Sequence, residues 1–170
     1  MFKTLLRERR RTGAVRDLDI LRTPAEPAFD RLVDAAATAF DAPIALLSLI
    51  HGQQQWFKAT HGLTIDCIDR EDGFCGFALD SDEVLESCAP MDDPRFANLP
   101  VVTSDPHIRY YIGAALRRLN GVDVGALCVL DIAARPPASP DQKAYLAGLA
   151  RQASVALETR LDSLGEGAAA

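Results

Sequence analysis

The side chains best suited to bind a small molecule are concentrated between residues 74 and 111. They are aromatic rings, a thiol, a carboxylate, an imidazole and a guanidinium: Phe74, Cys75, Asp92, Phe96, His107, Arg109, Tyr110 and Tyr111. Aromatic and apolar side chains supply contact area for a ligand, while a few polar groups fix its orientation. The prolines and acids between residues 92 and 106 indicate a long irregular connection, and such connections often carry binding residues. The segment is therefore predicted to contribute a ligand-binding site.

The polar residues of this segment have a second interpretation, in which they only hold the loops in place. Asp93 and Arg95 are close enough in sequence to form an ion pair, and for these two residues we favour the structural role. For His107, Tyr110 and Tyr111 both interpretations stay open. Trp56 is expected to be half-buried on a strand and not a ligand contact, because an indole buries its ring and needs a partner for its N–H.

The sequence gives little support for catalysis, a metal or a cofactor. None of the cysteines (Cys67, Cys75, Cys88 and Cys128) forms a C-x-x-C pair, so a structural zinc site is poorly supported. No Ser/His/Asp or paired-carboxylate arrangement argues for a hydrolase. Cys75 and Cys128 could report redox state, but buried and inert thiols are the better prediction, particularly for Cys128 in an apolar strand. We expect a protein that is not an enzyme.

Composition narrows the class of partner. The chain has 170 residues, which suits one domain, and its net charge of -6 opposes binding to nucleic acid or to an anionic membrane. The one basic cluster, residues 7–11, is interpreted as a solvated helix face. It also interrupts the apolar start of the chain before a signal peptide can form, and no apolar run is long enough to cross a bilayer. A cytoplasmic location with reduced thiols is therefore expected.

Two helices are predicted before the first strand. Residues from about 5 to 21 are predicted to form an N-terminal helix, on which Leu5, Leu18 and Leu21 could line one face while arginines fill the rest. Its first half has no strong tertiary signature, so it is expected to protrude or to pack on a partner. Thr23-Pro24-Ala25-Glu26 has the form of a capping box, in which a threonine and a glutamate satisfy the first backbone N–H groups of a helix. Apolar residues then recur at helical spacing until Asp41-Ala42-Pro43 ends the pattern.

Two hairpins are predicted in the remainder of the chain. Residues 44–50 form an uninterrupted apolar strand, and residues 54–60 pair with it after a turn at His51-Gly52. Residues 112–119 and 122–130 flank Asn120-Gly121, which favours a type I′ turn. The segment 63–72 is interpreted as a loop, 74–79 as a short helix and 84–89 as a short strand.

The last helix is predicted to begin at a second capping box, Ser139-Pro140-Asp141-Gln142, and to end near Leu164. Five of its residues form a near-heptad seam that could pair with a second copy of the chain or cover the sheet of its own subunit: Leu146, Ala150, Ala153, Leu157 and Leu164. The predicted organisation is therefore a helix over residues 1–22, a domain over 23–164 and a disordered tail over 165–170.

Hairpins framed by helices indicate an α+β fold, with an antiparallel sheet and the terminal helices on one of its faces. At this level the chain resembles a known family. The resemblance rests on seven stretches: DILRTPAEPAFDRL at 19–32, PIALLSLI at 43–50, QWFK at 55–58, GFCGFA at 73–78, DPRF at 93–96, HIRYYIGA at 107–114 and GALCVLD at 125–131. In this order, over about residues 18–160, the stretches resemble those of GAF domains from bacterial sensor histidine kinases and diguanylate cyclases. GAF domains are related to PAS domains.

The resemblance implies a sheet of five or six antiparallel strands, with helices on one face and a loop-covered pocket on the other. It implies a non-catalytic sensor that binds a small molecule, with the residues from 74 to 111 named above around the pocket. It also implies a homodimer through the terminal helices and a histidine kinase or diguanylate cyclase as output. The signatures of cyclic-nucleotide-binding and bilin-binding members of the family are absent or incomplete.

Two alternatives remain open from the sequence. Free methionine sulfoxide reductases share this fold and use clustered cysteines, although their pattern differs from that of Cys67, Cys75 and Cys88. In that case the chain would reduce free methionine sulfoxide, and Cys67→Ser or Cys75→Ser would abolish turnover. The second alternative is a dimerisation or interaction module without ligand, which predicts a filled or collapsed pocket.

Overall fold

The computed structural model describes residues 1–169, and its central element is one antiparallel sheet in the order β3-β2-β1-β6-β5-β4. The strands are β1 (Ile44–His51), β2 (Gln54–His61), β3 (Cys67–Asp69), β4 (Leu85–Ser87), β5 (Tyr110–Arg117) and β6 (Asp123–Asp131). The helices are α1 (Phe2–Asp17), α2 (Pro27–Phe40), α3 (Pro100–Thr103) and α4 (Pro140–Ala169). The α+β architecture expected from the sequence is confirmed, with six strands.

The first hairpin forms as predicted from its apolar run and turn. Strands β1 and β2 pair from His51 and Gln54 outward, and Gly52 takes a positive φ of 62° in the turn between them. A bulge shifts the register between Leu47 and Ser48, since Leu47 lies opposite Ala59 while Ser48 lies opposite Phe57. The alternation of side chains along β2 is therefore offset on the two sides of this bulge.

The second hairpin lies where it was predicted, but the type I′ turn is wrong. Only Gly121 of the Asn120-Gly121 pair has a positive φ, at 79°. The Gly121 N–H donates to the Arg118 oxygen (2.9 Å), and the Arg118 N–H donates to the Val122 oxygen (3.0 Å). These bonds close a three-residue loop that ends in a left-handed glycine, which is the second common way to connect two strands.

The two hairpins join through strands β1 and β6 in the middle of the sheet. Gly125 is required at this junction, because a Cβ atom there would lie 1.8 Å from the backbone oxygen of Ser48. Every residue of β6 is buried, so this strand forms part of the hydrophobic core on both faces. The strand is apolar almost throughout for that reason.

Helices α1, α2 and α4 cover one face of the sheet. The apolar stripe predicted for α2 is buried there, together with residues of α4. Four of the five seam residues of α4, Leu146, Ala150, Ala153 and Leu157, are buried in this core, whereas Leu164 is exposed. The seam therefore packs on its own subunit, and its buried part is not available to a second copy.

Helix α2 begins later than its predicted cap. Glu26 occupies the N-cap position without a capping side-chain bond, and Pro27 is the first helical residue. The Thr23 hydroxyl donates to the Ile20 oxygen (2.6 Å) and accepts from Lys58 Nζ (2.8 Å). The Glu26 carboxylate pairs with Arg160 (2.8 Å). The capping box is wrong because both of its polar side chains are used in tertiary contacts.

Helix α4 begins at the predicted capping box. The Gln142 N–H donates to Ser139 Oγ (3.1 Å), and Gln142 Oε1 accepts from the Ser139 N–H (3.0 Å). The helix does not end at Leu164 but continues to Ala169, beyond the start of the predicted disordered tail. Gly165 and Gly167 weaken a helix without preventing it. The last residue of the predicted tail, Ala170, lies outside the described residues.

Helix α1 ends earlier than predicted, and one arginine of its basic cluster is not on a solvated face as expected. Arg11 is not solvated, since only 1% of its surface is exposed. Its guanidinium donates to both oxygens of Asp80 (2.9 and 3.0 Å) and to the backbone oxygen of Asp123 (2.7 Å). A buried arginine is stable when its donors are matched in this way. The first half of α1 is exposed, as predicted.

Loops cover the opposite face of the sheet. The segment predicted as a loop over residues 63–72 contains the short edge strand β3 and a 3₁₀ turn at Arg70–Asp72. The predicted short helix is a 3₁₀ turn at Cys75–Ala78, and the predicted strand over residues 84–89 is the three-residue β4. These loops and α3 enclose a second, smaller apolar cluster.

Candidate functional site

A cavity of about 280 Å³ lies between the sheet and the loops that cover it. Its base is formed by strands β1, β2, β5 and β6, and its walls by the segments around residues 63–75 and 101–108. The residues that line it are mostly apolar: Leu46, Gln55, Phe57, Leu63, Thr64, Ile65, Ile68, Gly73, Phe74, Cys75, Val101, Asp105, Pro106, Ile108, Tyr111, Cys128 and Leu130. Leu63, Thr64 and Asp105 are exposed and form its rim.

An aromatic group fixes one wall of the cavity. The ring of Tyr111 stacks on Phe74, with 4.7 Å between centroids and 8° between planes. Phe96 packs behind both rings, 4.9 Å from Phe74 and 6.1 Å from Tyr111. Phe96 is fully buried and does not line the cavity, so it supports the wall rather than facing a ligand.

Two polar atoms at the cavity have no hydrogen-bond partner among residues 1–169. They are Gln55 Oε1 and the Tyr111 hydroxyl, and both residues are buried. Burial raises the pKa of Tyr111 well above its ordinary value, so the hydroxyl keeps its proton. A buried polar atom without a partner costs about 1–3 kcal/mol. A ligand that bonds to these atoms would recover that cost.

A pair of thiols lies at the base of the cavity. Cys75 Sγ and Cys128 Sγ are 3.4 Å apart, and both residues are buried. The hydrogen bond from Cys128 lowers the pKa of the Cys75 thiol. The same bond, together with burial, raises the pKa of Cys128 well above its ordinary value. The prediction of burial is therefore confirmed for both cysteines, but their pairing was not predicted, because they lie 53 residues apart in the chain.

The cavity brings together three of the predicted site residues, Phe74, Cys75 and Tyr111, with Phe96 directly behind them. The other four do not line it. Asp92 and His107 are exposed, and His107 sits in a loop with a positive φ of 60°. Arg109 donates to the backbone oxygens of Val102 and Ile108, both at 3.1 Å. Its guanidinium therefore holds the loop around α3 in place.

Tyr110 lies on the helix side of the sheet, because successive residues of a strand point to opposite faces. Its hydroxyl donates to Glu86 Oε1 at 2.9 Å. Tyr110, which was grouped with Tyr111 as a ligand contact, therefore does not line the cavity. The sequence offered no means of deciding which of the two tyrosines faces the cavity.

The structural role favoured for Asp93 and Arg95 agrees with their geometry. Arg95 Nε and Nη2 donate to the two Asp93 oxygens at 3.0 and 2.6 Å, and the Arg95 guanidinium lies 4.8 Å over the ring of Phe96. The hydrogen bonds from Arg95 lower the pKa of Asp93. Trp56 is half-buried on β2, as predicted. These residues shape the loop and the sheet edge without facing the cavity.

The most informative residue that the sequence reasoning missed is Gln55. It lies at the start of β2, between Gln54, which is exposed, and Trp56. A buried glutamine in a run of three glutamines gives no signal by residue type. Gly73 marks the position indirectly, because a Cβ atom there would lie 2.4 Å from Gln55 Oε1.

Three depressions of larger volume lie outside this cavity and are less suited to an apolar ligand. One of about 430 Å³ is lined by Arg22, Trp56 and Lys58, among others, and Lys58 is already paired with Glu26. The other two, about 380 and 340 Å³, lie along α1, and the smaller of them passes Arg11 and Asp80, which are paired with each other. The cavity between the sheet and the loops has the most apolar lining of the four.

The structure gives no support for a metal site or a membrane span in the part of the chain that it describes. No group of three or more His, Cys, Asp or Glu side chains is placed to hold a metal ion within residues 1–169. None of the helices over the same residues is both long enough and apolar enough to span a bilayer.

Comparisons with known proteins agree with this architecture. The sequence model of the GAF domain family matches residues 24–157. A cyclic di-GMP phosphodiesterase of Pseudomonas aeruginosa is 37% identical over 152 residues, which is 89% of this chain and 26% of that protein. The chain thus spans about a quarter of the length of this relative.

Two solved structures share the fold at low sequence identity. The GAF domain of an Acinetobacter phosphoenolpyruvate-protein phosphotransferase has a TM-score of 0.63 at 16% identity, over 95% of this chain and 96% of that one. A type II free methionine-R-sulfoxide reductase of Thermoplasma acidophilum has a TM-score of 0.60 at 14% identity, over 78% and 93%. At such identities the likeness concerns the fold alone.

Proposed function

This chain belongs to the GAF domain family, and on that premise we propose that it is a non-catalytic sensory domain of bacterial signal transduction. Its ligand is a small molecule bound in the cavity between the sheet and the loops. The observation that carries the proposal is the pair of buried atoms at this cavity, Gln55 Oε1 and the Tyr111 hydroxyl, which have no partner among residues 1–169. Buried polar groups are nearly always satisfied, so two orphaned atoms at one cavity call for partners from outside the chain.

The lining defines the class of ligand. The cavity is mostly apolar, and no lysine or arginine is among its lining residues, while Asp105 places a carboxylate at its rim. An anionic ligand such as a nucleotide would have no cation to pair with here. The ligand is therefore a compact, largely apolar, uncharged molecule. It donates a hydrogen bond to Gln55 Oε1, and it either donates to or accepts from the Tyr111 hydroxyl.

The sheet offers a route from the cavity to the helices. Tyr111 faces the cavity, while its neighbour Tyr110 bonds to Glu86, which pairs with Lys143 at the start of α4 (2.7 Å). A ligand that favours one position of β5 would therefore bias the position of α4. Coupling of this kind requires only that the ligand binds the two arrangements with different affinity.

The output and the assembly are proposals of the same kind. The relative from Pseudomonas aeruginosa is named a cyclic di-GMP phosphodiesterase, and we propose that this domain likewise regulates a catalytic signalling partner, such as a cyclic-di-GMP enzyme or a histidine kinase. We also propose a homodimer through the terminal helices. Support comes from α1, where Phe2, Leu5 and Leu6 lie exposed at helical spacing, with 74%, 53% and 43% of their surfaces accessible.

The two alternatives are less well supported. A ligand-free module predicts a filled or collapsed pocket, which does not match a cavity of about 280 Å³. The reductase alternative relied on Cys67 and Cys75, but Cys67 does not line the cavity and the neighbour of Cys75 is Cys128. An assay with free methionine sulfoxide tests this alternative directly.

The ligand proposal is tested by native mass spectrometry of the purified domain, followed by a thermal-shift screen of small amides, phenols and heteroaromatic compounds. The expected result is a released small molecule, or a compound that stabilises the wild type but not Gln55→Leu. The matched control is Gln54→Leu, because Gln54 is the exposed neighbour on the same strand. A spectrum without adduct, together with compounds that shift both variants equally, would overturn the proposal.

A further inference from the structure

The paired thiols at the base of the cavity are a chemical feature that ligand binding does not require. Cys75 Sγ and Cys128 Sγ lie within hydrogen-bond distance, 3.4 Å apart, and both side chains are buried. The other two cysteines, Cys67 and Cys88, are partly exposed and have no such pairing among residues 1–169. The two buried thiols thus lie next to each other, whereas the two partly exposed thiols lie apart from them.

We infer that Cys75 and Cys128 form an oxidation site: hydroperoxides convert the pair into a disulfide that links the cover of the cavity to the sheet, and a dithiol reductant restores both thiols by exchange. Both residues line the cavity, whose rim at Leu63, Thr64 and Asp105 is open to solvent. A small peroxide therefore has a path to the sulfurs, although neither is on the protein surface. This inference does not depend on the proposed ligand.

In the proposed reaction Cys75 is oxidised first and Cys128 second. The Cys75 thiolate attacks the peroxide, the O–O bond breaks, and the leaving alkoxide takes a proton to become an alcohol. Cys75 is then a sulfenic acid. The Cys128 sulfur attacks the Cys75 sulfur, the S–O bond breaks, and the hydroxyl leaves as water with the Cys128 proton. In sum, two thiols and one hydroperoxide give one disulfide, one alcohol and one water.

Cys75 is the better nucleophile of the pair. Accepting a hydrogen bond from Cys128 lowers the pKa of Cys75 and so favours its thiolate, which is the reactive form. Cys128 keeps its proton until the first sulfur has been oxidised. We therefore assign Cys75 as the attacking thiol and Cys128 as the resolving thiol.

The packing determines which side moves when the bond forms. A disulfide brings its sulfurs to about 2.05 Å, so the pair must close by roughly 1.4 Å. Cys128 is held in the middle of the sheet, opposite Leu46 on β1 and Gly113 on β5. Cys75 begins a short 3₁₀ turn in the cover, next to Phe74. The cover therefore moves toward the sheet, and oxidation narrows the cavity.

The test counts thiols in the reduced wild-type domain before and after exposure to a molar excess of tert-butyl hydroperoxide, by alkylation in denaturant and mass spectrometry. Of the four free thiols, two are expected to be lost, with a mass lower by two hydrogens and a Cys75–Cys128 cross-link in the peptide map. Reductant should restore all four. A Cys67→Ser/Cys88→Ser double variant should form the same cross-link.

Cys128→Ser separates the two steps, because Cys75 then lacks its resolving thiol. Dimedone, which traps sulfenic acids, is expected to label Cys75 in this variant and not in the wild type. Four thiols that survive the peroxide in the wild type, or a cross-link that involves Cys67 or Cys88, would overturn the inference. If Cys128→Ser does not fold, the Cys67→Ser/Cys88→Ser variant, which keeps Cys75 and Cys128, tests the inference through its cross-link alone.

Discussion

Tyr110 and Tyr111 are neighbours in sequence, and their hydroxyls lie on opposite faces of the sheet in opposite chemical situations. The Tyr110 hydroxyl donates to Glu86 at 2.9 Å beneath the helices. The Tyr111 hydroxyl is buried at the cavity without a partner among residues 1–169. Strand β5 thus presents one phenol with a hydrogen-bond partner and one without. The effects of removing each hydroxyl on stability can therefore be compared directly.

The first prediction concerns this pair. Tyr110→Phe removes a hydrogen bond to a carboxylate and should lower the free energy of unfolding by roughly 2 kcal/mol. Tyr111→Phe removes an unsatisfied hydroxyl and should leave stability unchanged or raise it by up to about 1 kcal/mol. Urea unfolding of the ligand-free variants measures both. Equal destabilisation by the two substitutions would mean that the Tyr111 hydroxyl has a partner in the folded protein.

The second prediction compares two glycines. In Gly125→Ala the new Cβ meets the backbone of β1 at 1.8 Å, so the two central strands must separate, and we expect a loss of roughly 3 kcal/mol or more. In Gly73→Ala the Cβ meets the end of the Gln55 side chain, which can rotate away. This variant should fold normally but bind the cavity ligand less tightly. Thermal unfolding tests the first expectation, and titration with a compound from the screen tests the second.

The third prediction concerns pH. Arg118 Nε and Nη2 donate to the two oxygens of Glu158 at 3.1 and 3.0 Å, and these bonds lower the pKa of Glu158. Glu158→Gln should therefore reduce the free energy of unfolding by roughly 2 kcal/mol at neutral pH. A carboxyl with a lowered pKa stabilises the fold above its unfolded value of 4.5, and this stability is lost as the pH falls through the lower folded value.

The measurement is a series of urea unfolding curves from neutral pH to below 4.5 for the wild type and Glu158→Gln. Their difference should shrink on the acid side. Glu166→Gln is the control, because Glu166 is exposed on the same helix. A difference between wild type and Glu158→Gln that stays constant over the whole range would contradict the assignment of the ion pair.

The fourth prediction concerns assembly. If two copies associate through the exposed apolar residues of α1, Leu5→Glu should produce a monomer without a change in thermal stability, because Leu5 is 53% exposed within its own subunit. Light scattering coupled to size exclusion gives the mass of the wild type and the variant. A wild type that is monomeric at the highest soluble concentration would rule out the proposed homodimer.

The sequence predicted most of the sheet and the three long helices because their signals are local. The apolar run of β1 and the capping box at Ser139 each depend on residues that are close in the chain. The position of the turn at Asn120-Gly121 was predicted correctly, but its type was not, since only Gly121 has a positive φ. The box at Thr23 failed because Thr23 bonds to Lys58, a partner far away in sequence.

The candidate site was harder to predict, because a shift of one residue along a strand moves a side chain to the other face. Tyr110 could not be separated from Tyr111, and Gln55 could not be separated from Gln54, by residue type alone. His107 and Arg109 were chosen for their chemistry, but the loop turns His107 outward and uses Arg109 to bond its own backbone. Side-chain direction in loops is set by contacts that the sequence does not show.

Arg11 has a practical consequence for any fragment of this protein. The residues shared with the family begin at 24, yet Arg11 fills the space between Asp80 and the backbone of Asp123. A recombinant fragment trimmed to the shared residues would leave the Asp80 carboxylate without its buried cation. We therefore expect a fragment that begins at residue 24 to unfold at a lower temperature than one that keeps helix α1.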